Sequence, residues 1–196
     1  MRRRTFDGLM ATAGLVLAAV LLVAGGLLTW AHTFVSDQVR EQLVAQKIFF
    51  PPKDSQALAP PEVGRYLNQY AGQQLVSGAQ AQAYANHFIA VHLKEAAGGK
   101  TYAQVSSQAL QNPNDAKLAG QVQTLFRGET LRGMLLNAYA FWKIGQIALL
   151  ASIASFILAA AMLVLTILGL WHLRRVSPTE ELMASTVESR KTPLSA

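Results

Sequence analysis

The chain of 196 residues contains no cysteine. This absence excludes disulfide bonds, cysteine metal sites and thiol catalysis. If any part of the chain folds outside the cytoplasm, it must be held by helix packing, by its membrane-anchored ends or by a partner.

Charged residues are also scarce, because they make up 14% of the chain against about 25% in an ordinary soluble domain. No Asp, Glu, Lys or Arg occurs between Gly8 and Ser36 or between Ile144 and Leu173, stretches of 29 and 30 residues. Each stretch exceeds the roughly 20 residues that an apolar helix needs to cross a bilayer. The sequence therefore predicts two transmembrane helices and argues against a wholly cytosolic enzyme.

Basic residues flank the two apolar stretches. Arg2, Arg3 and Arg4 precede the first, and Arg174 and Arg175 follow the second, which places both ends on the cytoplasmic side. The region between holds nine Lys or Arg and seven Asp or Glu when Lys143 is set aside, so it has no basic field suited to nucleic acid. We expect a multi-pass protein of the plasma membrane, embedded in the lipid bilayer, with both termini cytoplasmic and no nucleic-acid partner.

The N-terminus has one alternative interpretation, a cleaved export signal. The run Arg3-Arg4-Thr5-Phe6 resembles a twin-arginine signal. The apolar stretch is longer than the roughly 7 to 15 residues of a signal-peptide core, and no small-residue cleavage site follows it near Trp30. These features favour a retained membrane anchor.

Between the apolar stretches the apolar residues recur at helical intervals, and no alternating strand pattern is present. The first helix is expected to end near Phe50, before Pro51-Pro52. Pro60-Pro61-Glu62 is typical of the start of the next helix. Ser77 is expected to cap a helix that runs to Ala97 and ends at Gly98-Gly99.

The last part of this region continues the helical pattern. Thr101 with Gln104 forms a weak capping box for a helix through Leu110, and Asn112-Pro113 ends it. From Asp115 the helical spacing continues into the second apolar stretch. The sequence therefore predicts an all-α membrane protein with two antiparallel transmembrane helices and a helical extracytoplasmic domain inserted between them.

The predicted layout has five parts. They are a cytoplasmic N-terminus (1–7), a first transmembrane helix (8–33), an extracytoplasmic helical domain (34–143), a second transmembrane helix (144–173) and a mostly disordered cytoplasmic tail (174–196). The last 21 residues hold seven Ser or Thr and two Pro, and Ser177-Pro178-Thr179-Glu180 is suited to start one short helix there.

The chain offers few residues for catalysis or metal binding. His87 and His92 are five residues apart, which turns them about 140° from each other on a helix, unlike the spacing of a helical zinc motif. We predict no catalytic residues, no metal site and no cofactor. If the outer domain has a ligand pocket, Tyr84, His92 and Glu95 are the first candidates to line it, with His92 on the apolar face and His87 exposed.

Two polar features point to interactions. The segment Phe126–Gly133 is charged where the chain approaches the second apolar stretch, so Arg127, Glu129 and Arg132 are candidate interaction residues. Neutral amides are abundant, which suits either a solvated face or contact with uncharged polar material or another protein. Among them are Gln38, Gln42, Gln46, Gln69, Gln73, Gln74, Gln80 and Gln82.

Three segments, Ala83–Glu95, Gly98–Tyr102 and Leu125–Gly133, resemble a group of uncharacterised two-span membrane proteins of actinobacteria with an extracytoplasmic helical domain. The resemblance covers most of the chain. It implies a cell-envelope context and supplies no catalytic residues.

These observations favour a non-catalytic interaction or scaffold protein of the cell envelope that binds a protein partner or self-associates. One alternative is a protein or enzyme with a cleft in its outer domain for lipid or cell-wall material. The other is a membrane sensor that passes an outer signal to the C-terminal tail, although no cytoplasmic output domain is recognisable.

Overall fold

In the computed structural model, which describes residues 3–175, the chain is mainly helical, and no strand occurs among these residues. The expected all-α class is therefore confirmed. The predictions for residues 176–196, including the short helix at 177–180, lie outside the described part. The helices are α1 (Arg3–Ala45), α2 (Pro61–Leu67), α3 (Gly78–Tyr84), α4 (Ala90–Ala96), α5 (Tyr102–Gln111) and α6 (Ala116–Leu173), with 3₁₀ turns at Gln56–Leu58 and Asn68–Tyr70 and a π-helical turn at Ala85–Ile89.

The first and last helices are much longer than the others. α1 has 43 residues and α6 has 58, which corresponds to about 65 Å and 87 Å at 1.5 Å per residue. The hydrocarbon core of a bilayer is only about 30 Å thick. Both helices are long and apolar enough to cross a membrane.

The described part of the chain forms two compact units, of which one combines residues 3–29 with residues 149–175. Its helices pack through small residues that allow close approach. A Cβ on Gly14 would lie 2.6 Å from Thr166 Oγ1, and one on Gly25 would lie 2.9 Å from the ring of Phe156. The buried small or hydroxyl side chains recur every seven residues, at Ala11 and Ala18 on α1 and at Ser152, Ala159 and Thr166 on α6.

A buried hydroxyl network adds to this contact. The Ser152 hydroxyl donates to the Gly25 carbonyl at 2.9 Å and lies 2.6 Å from the Thr29 hydroxyl. Ser152 is 1% exposed, so an unpaired hydroxyl there would be costly. The network satisfies the polar group and holds the two helices together in this unit.

The other unit is Trp30–Ala148, and its core is built from one or two side chains of each short helix. Phe50, Val63, Leu67, Leu75 and Val105 are at most 2% exposed. The buried cluster also includes Val39, Leu43, Leu58, Ala81, Ala85, Ile89, Leu93, Ala97, Leu125 and Leu135.

Local sequence signals begin and end the short helices as expected. Ser77 and Gln80 form a capping box at α3, and Thr101 and Gln104 form one at α5. Pro61 occupies the first turn of α2. The chain leaves α4 through Gly98 and Gly99, both with positive φ, which suits residues without a Cβ.

The end of α1 differs from the expectation. The helix ends at Ala45, five residues before Phe50, and Lys47 takes a left-handed φ of 52°. The Phe50 N–H donates to the Gln73 carbonyl at 2.9 Å, and the Leu75 N–H donates to the Ile48 carbonyl at 2.9 Å. These bonds and the burial of Phe50 hold the segment in an extended form, which a helix through Phe50 would not allow.

The stretch from Ser77 to Ala97 contains a π-helical turn that the sequence pattern does not predict. On a regular α-helix, the side chains of residues four apart point in directions that differ by about 40° around the helix axis. The Ala90 N–H bonds to the Ala85 carbonyl, five residues back, and this wider turn offsets that difference. The buried positions therefore recur every four residues, at Ala81, Ala85, Ile89, Leu93 and Ala97.

Candidate functional site

The three residues predicted to line a pocket lie along one side of α3 and α4. Tyr84 is half-buried against Phe50 and Phe88, with ring centroids 5.4 and 4.7 Å away, and burial raises the pKa of its phenol above 10.0. The ring of His92 packs on Phe88 at 4.4 Å. Glu95 is exposed. Tyr84 and His92 thus flank Phe88 without converging on a common cleft with Glu95.

The expected environments of the two histidines are wrong. His92 is exposed, although its Nδ1–H donates to the Phe88 carbonyl at 2.7 Å. His87 is half-buried and stacks on Tyr66, with ring centroids 3.6 Å apart and planes at 10°. The π-helical turn explains the exposure of His92, because it changes the direction of every residue after Ile89 relative to an uninterrupted α-helix. His87 precedes that point and is covered by its stacking on Tyr66.

A cleft of about 290 Å³ lies between two walls of the Trp30–Ala148 unit. One wall is α2 with the 3₁₀ turn that follows it, and the other is α3 with the start of the π-helical turn. We call this site the amide cleft. Its polar lining residues are Tyr66, Gln69, Tyr70, Gln82, Asn86 and His87, and its apolar lining residues are Ala79 and Ala83.

The local sequence explains how the first wall is placed. Val63 and Leu67 are fully buried, which turns Tyr66 toward the cleft. Gly64 allows the close approach of α2 to the preceding turn, because a Cβ there would lie 2.3 Å from the Leu58 carbonyl oxygen. The first wall of the cleft therefore depends on a glycine.

The second wall is positioned by the α3 capping box and by the core. The Gln80 side chain accepts from the backbone N–H groups of Val76 and Ser77 at 2.8 and 3.1 Å. Ala81 and Ala85 face the core. The residue after each of them, at positions 82 and 86, therefore faces α2. The stacked pair of Tyr66 and His87 joins the two walls.

The lining of the amide cleft carries no formal charge. It contains no Asp, Glu, Lys or Arg, and burial lowers the pKa of His87 below 6.5, which keeps the imidazole neutral at pH 7. Within residues 3–175, the Gln82 amide and the hydroxyls of Tyr66 and Tyr70 have no hydrogen-bond partner. The cleft therefore presents unused neutral donors and acceptors.

The predicted interaction residues adjoin this cleft at one point. Arg132 pairs with Glu129 at 3.3 Å, and its Nη2 donates to Asn86 Oδ1 at 3.3 Å. Arg132 Nε is buried and has no partner in the described part of the chain. Arg127 is exposed on the same helix and donates to the Gln123 amide oxygen at 3.0 and 3.1 Å when that amide is turned toward it. Arg132 thus bonds to the oxygen of the Asn86 amide, at the edge of the cleft.

Sequence reasoning identified none of the six polar lining residues as a site. The available signal was the abundance of Gln, together with Tyr66, Gln69 and Tyr70 at helical spacing. The sequence does not show which residues about 20 positions apart lie next to each other in the cleft, because that depends on the tertiary structure.

Metal ligation has no support in the geometry of the described residues. Across residues 3–175, no three His, Asp or Glu side chains lie close enough together to hold an ion. Comparison of the chain with family models, curated proteins and solved structures finds no match.

Proposed function

We propose that the chain is a two-span integral membrane protein of the cell envelope that acts as a non-catalytic interaction or scaffold protein. In this proposal α1 and α6 cross the plasma membrane in opposite directions, the helical region between them is extracytoplasmic, and both termini are cytoplasmic. The flanking arginines support this orientation. The order of contacts supports the antiparallel pair, because Gly14 meets Thr166 and Gly25 meets Phe156.

The observation that carries the interaction function is an exposed face on α6 that carries little charge. Residues three, four or seven apart share one side of a helix, and from Gln123 to Ile144 this side carries one charged residue, Arg127, which lies at its edge. We call it the α6 stripe. Its exposed members are Gln123, Phe126, Thr130, Met134, Asn137, Phe141 and Ile144.

Contact with lipid explains the exposure of apolar side chains at only one end of the α6 stripe. If the second span begins at Ile144, Met134 and Phe126 precede it by about 15 and 27 Å along the helix, beyond the hydrocarbon core. Phe126 is 54% and Met134 is 65% exposed. Exposed apolar side chains in a row outside the lipid are typical of protein contact surfaces.

The surroundings of the α6 stripe also suit a protein contact. Arg127 and Glu129 are exposed on either side of Phe126, which gives the apolar face a charged rim. Because the stripe continues along the helix toward the predicted span, the partner that fits it is a helix of another membrane-embedded chain. Arg127 and Glu129 would contact that partner at the edge of the interface.

Photo-crosslinking tests the α6 stripe directly. A photoreactive amino acid at Met134 should give a discrete protein adduct in native membranes, identified by mass spectrometry. The matched control is the same group at Leu110 on α5, which is 81% exposed and lies off the stripe. Adducts that are equal at both positions, or lipid adducts alone at Met134, would contradict the proposal. An adduct of twice the chain mass would identify the partner as a second copy.

Cysteine accessibility tests the membrane orientation, since the chain has no native cysteine. Ser107 is exposed on α5 and caps no helix, so Ser107→Cys is a conservative reporter for the region between the spans. We expect a membrane-impermeant maleimide to label S107C in intact cells and to label S185C only after the membrane is opened. Labelling of both cysteines from the same side would overturn the topology.

A further inference from the structure

The amide cleft has the properties of a ligand site that does not depend on the α6 stripe. It lies on α2 and α3, and none of its lining residues belongs to α6. Its function can therefore be tested separately from partner binding.

The absence of charge in the lining restricts the kind of ligand. An ionised group that enters a partly buried site loses hydration, and this cost is recovered only if a counter-charge is present. The Arg132 guanidinium is already bonded to Glu129 and to Asn86, and the Arg65 guanidinium lies over the Tyr66 ring, 5.8 Å from its centroid. Because the lining itself contains no Asp, Glu, Lys or Arg, a phosphate, a carboxylate or an ammonium group would find no counter-charge within it.

The hydrogen-bonding groups of the lining suit a ligand that both donates and accepts. An amide offers a carbonyl oxygen and an NH₂ group, and a phenol hydroxyl can act in either sense. The Gln82 amide and the Tyr66 and Tyr70 hydroxyls make no bond within residues 3–175. Arg132 occupies Asn86 Oδ1, which leaves the Asn86 Nδ2 donors for a ligand.

The size of the amide cleft and its aromatic residues further restrict the class of ligand. At about 290 Å³, the cleft lies at the small end of ligand sites, which span roughly 300–1,000 Å³. It fits a single small ring better than an extended chain. Tyr70 supplies apolar ring surface beside the amides, because the Tyr66 ring is already in contact with His87 and Arg65. A sugar ring presents C–H groups and hydroxyls in the same combination.

We propose that the amide cleft binds one neutral sugar unit through Gln82, Asn86 and the two tyrosines. The hydroxyls of the sugar exchange hydrogen bonds with the two amides and with the phenols, and its C–H groups pack on the Tyr70 ring. The interaction is binding alone and includes no covalent step.

Saturation-transfer NMR on the full-length chain tests the ligand class with two matched sugar pairs. The protein must be kept in a detergent without a sugar headgroup, such as lauryldimethylamine oxide, because a maltoside carries the proposed ligand chemistry. Glucose is compared with glucose 6-phosphate, and N-acetylglucosamine with glucosamine. We expect a neutral sugar to bind at least about ten-fold more tightly than its charged counterpart. Equal affinities within each pair, or no neutral sugar bound, would overturn the proposal.

Variants of Gln82 locate the site. Gln82→Ala should weaken binding of the neutral sugar about 3- to 10-fold, as expected for one lost hydrogen bond. Gln82→Glu should also weaken it and should strengthen binding of the cationic glucosamine. The matched control is Gln42→Ala, an exposed amide on α1, which should leave affinity unchanged. Sugar binding that is the same in Q82A, Q82E and the parent chain would exclude the amide cleft as the site.

A free sugar and a sugar unit within a polymer could make the same contacts. A further binding experiment distinguishes these two ligands. The affinity of N-acetylglucosamine is compared with that of its soluble tetrasaccharide under the same conditions. Equal affinities assign the free sugar, and tighter binding of the tetrasaccharide assigns a polymer-bound unit. If Q82A weakens neither ligand, the assignment to this cleft fails for both sources.

Discussion

Replacing Phe50 by alanine is expected to destabilise the Trp30–Ala148 unit by about 3–5 kcal/mol, the usual cost of truncating a buried phenylalanine. Phe50 is 2% exposed. Its ring lies 5.2 Å from that of Tyr70 and 5.4 Å from that of Tyr84, so the cavity would open behind the amide cleft. Guanidinium unfolding of the full-length chain in detergent, followed by near-ultraviolet circular dichroism, measures the change.

The adjacent residue provides the control for this measurement. Phe49 is 56% exposed and pairs with Gln74 through its backbone, which alanine preserves. Phe49→Ala should change the free energy of unfolding by no more than about 0.5 kcal/mol. Equal losses in F49A and F50A would mean that Phe50 is not the central side chain of this core.

Replacing Gly64 by alanine is expected to destabilise the same unit by about 2–3 kcal/mol. The added Cβ would lie 2.3 Å from the Leu58 carbonyl oxygen, which is a backbone atom that cannot move by a change of rotamer. Overpacking of this kind typically costs about 1–3 kcal/mol, and the backbone contact favours the upper part of that range. Since α2 carries Tyr66, the variant should also disturb the first wall of the amide cleft. Unfolding in guanidinium and sugar binding report the two effects.

A second glycine separates the steric effect from helix propensity. Gly120 lies in α6 with no atom within 4 Å of an added Cβ. Gly120→Ala should therefore stabilise the chain by up to about 1 kcal/mol, the difference in helix propensity between the two residues. Stabilisation of G64A to the same extent as G120A would show that α2 can move away from Leu58 without cost.

The experiments separate partner binding at the α6 stripe from sugar binding in the amide cleft. The photo-crosslink depends on Met134 in α6, whereas sugar binding depends on Gln82 in α3. Loss of one property with retention of the other is therefore informative. Phe50→Ala is expected to reduce both only through loss of folding, which the unfolding measurement detects.

Most helix ends could be predicted from the sequence because their causes are local. A capping box needs only residues three apart, as at Ser77 with Gln80. The turn at Gly98 and Gly99 needs only the absence of a Cβ. The end of α1 was predicted too late because it depends on Phe50 N–H bonding to Gln73, a partner 23 positions away.

The faces of the helices were harder to predict than their ends. Regular 3.6-residue spacing placed His92 on the apolar side and His87 in solvent, whereas His92 is exposed and His87 is half-buried. For His92 the cause is the bond from the Ala90 N–H to the Ala85 carbonyl, a change of hydrogen-bond register that leaves no clear mark in the pattern of apolar residues. For His87 the cause is its stacking on Tyr66, which lies on a different helix.

The sequence by itself determined the helical class and the two long apolar helices. Both can be predicted because the helical spacing of apolar residues and the long stretches without charge are visible in consecutive residues. The tertiary structure alone decided where the neutral amides meet. Gln69 and Gln82 belong to different helices, and Arg132 reaches Asn86 from a third. Such a site forms only when the core brings separate helices together, since its hydrogen bonds join residues that are distant along the chain.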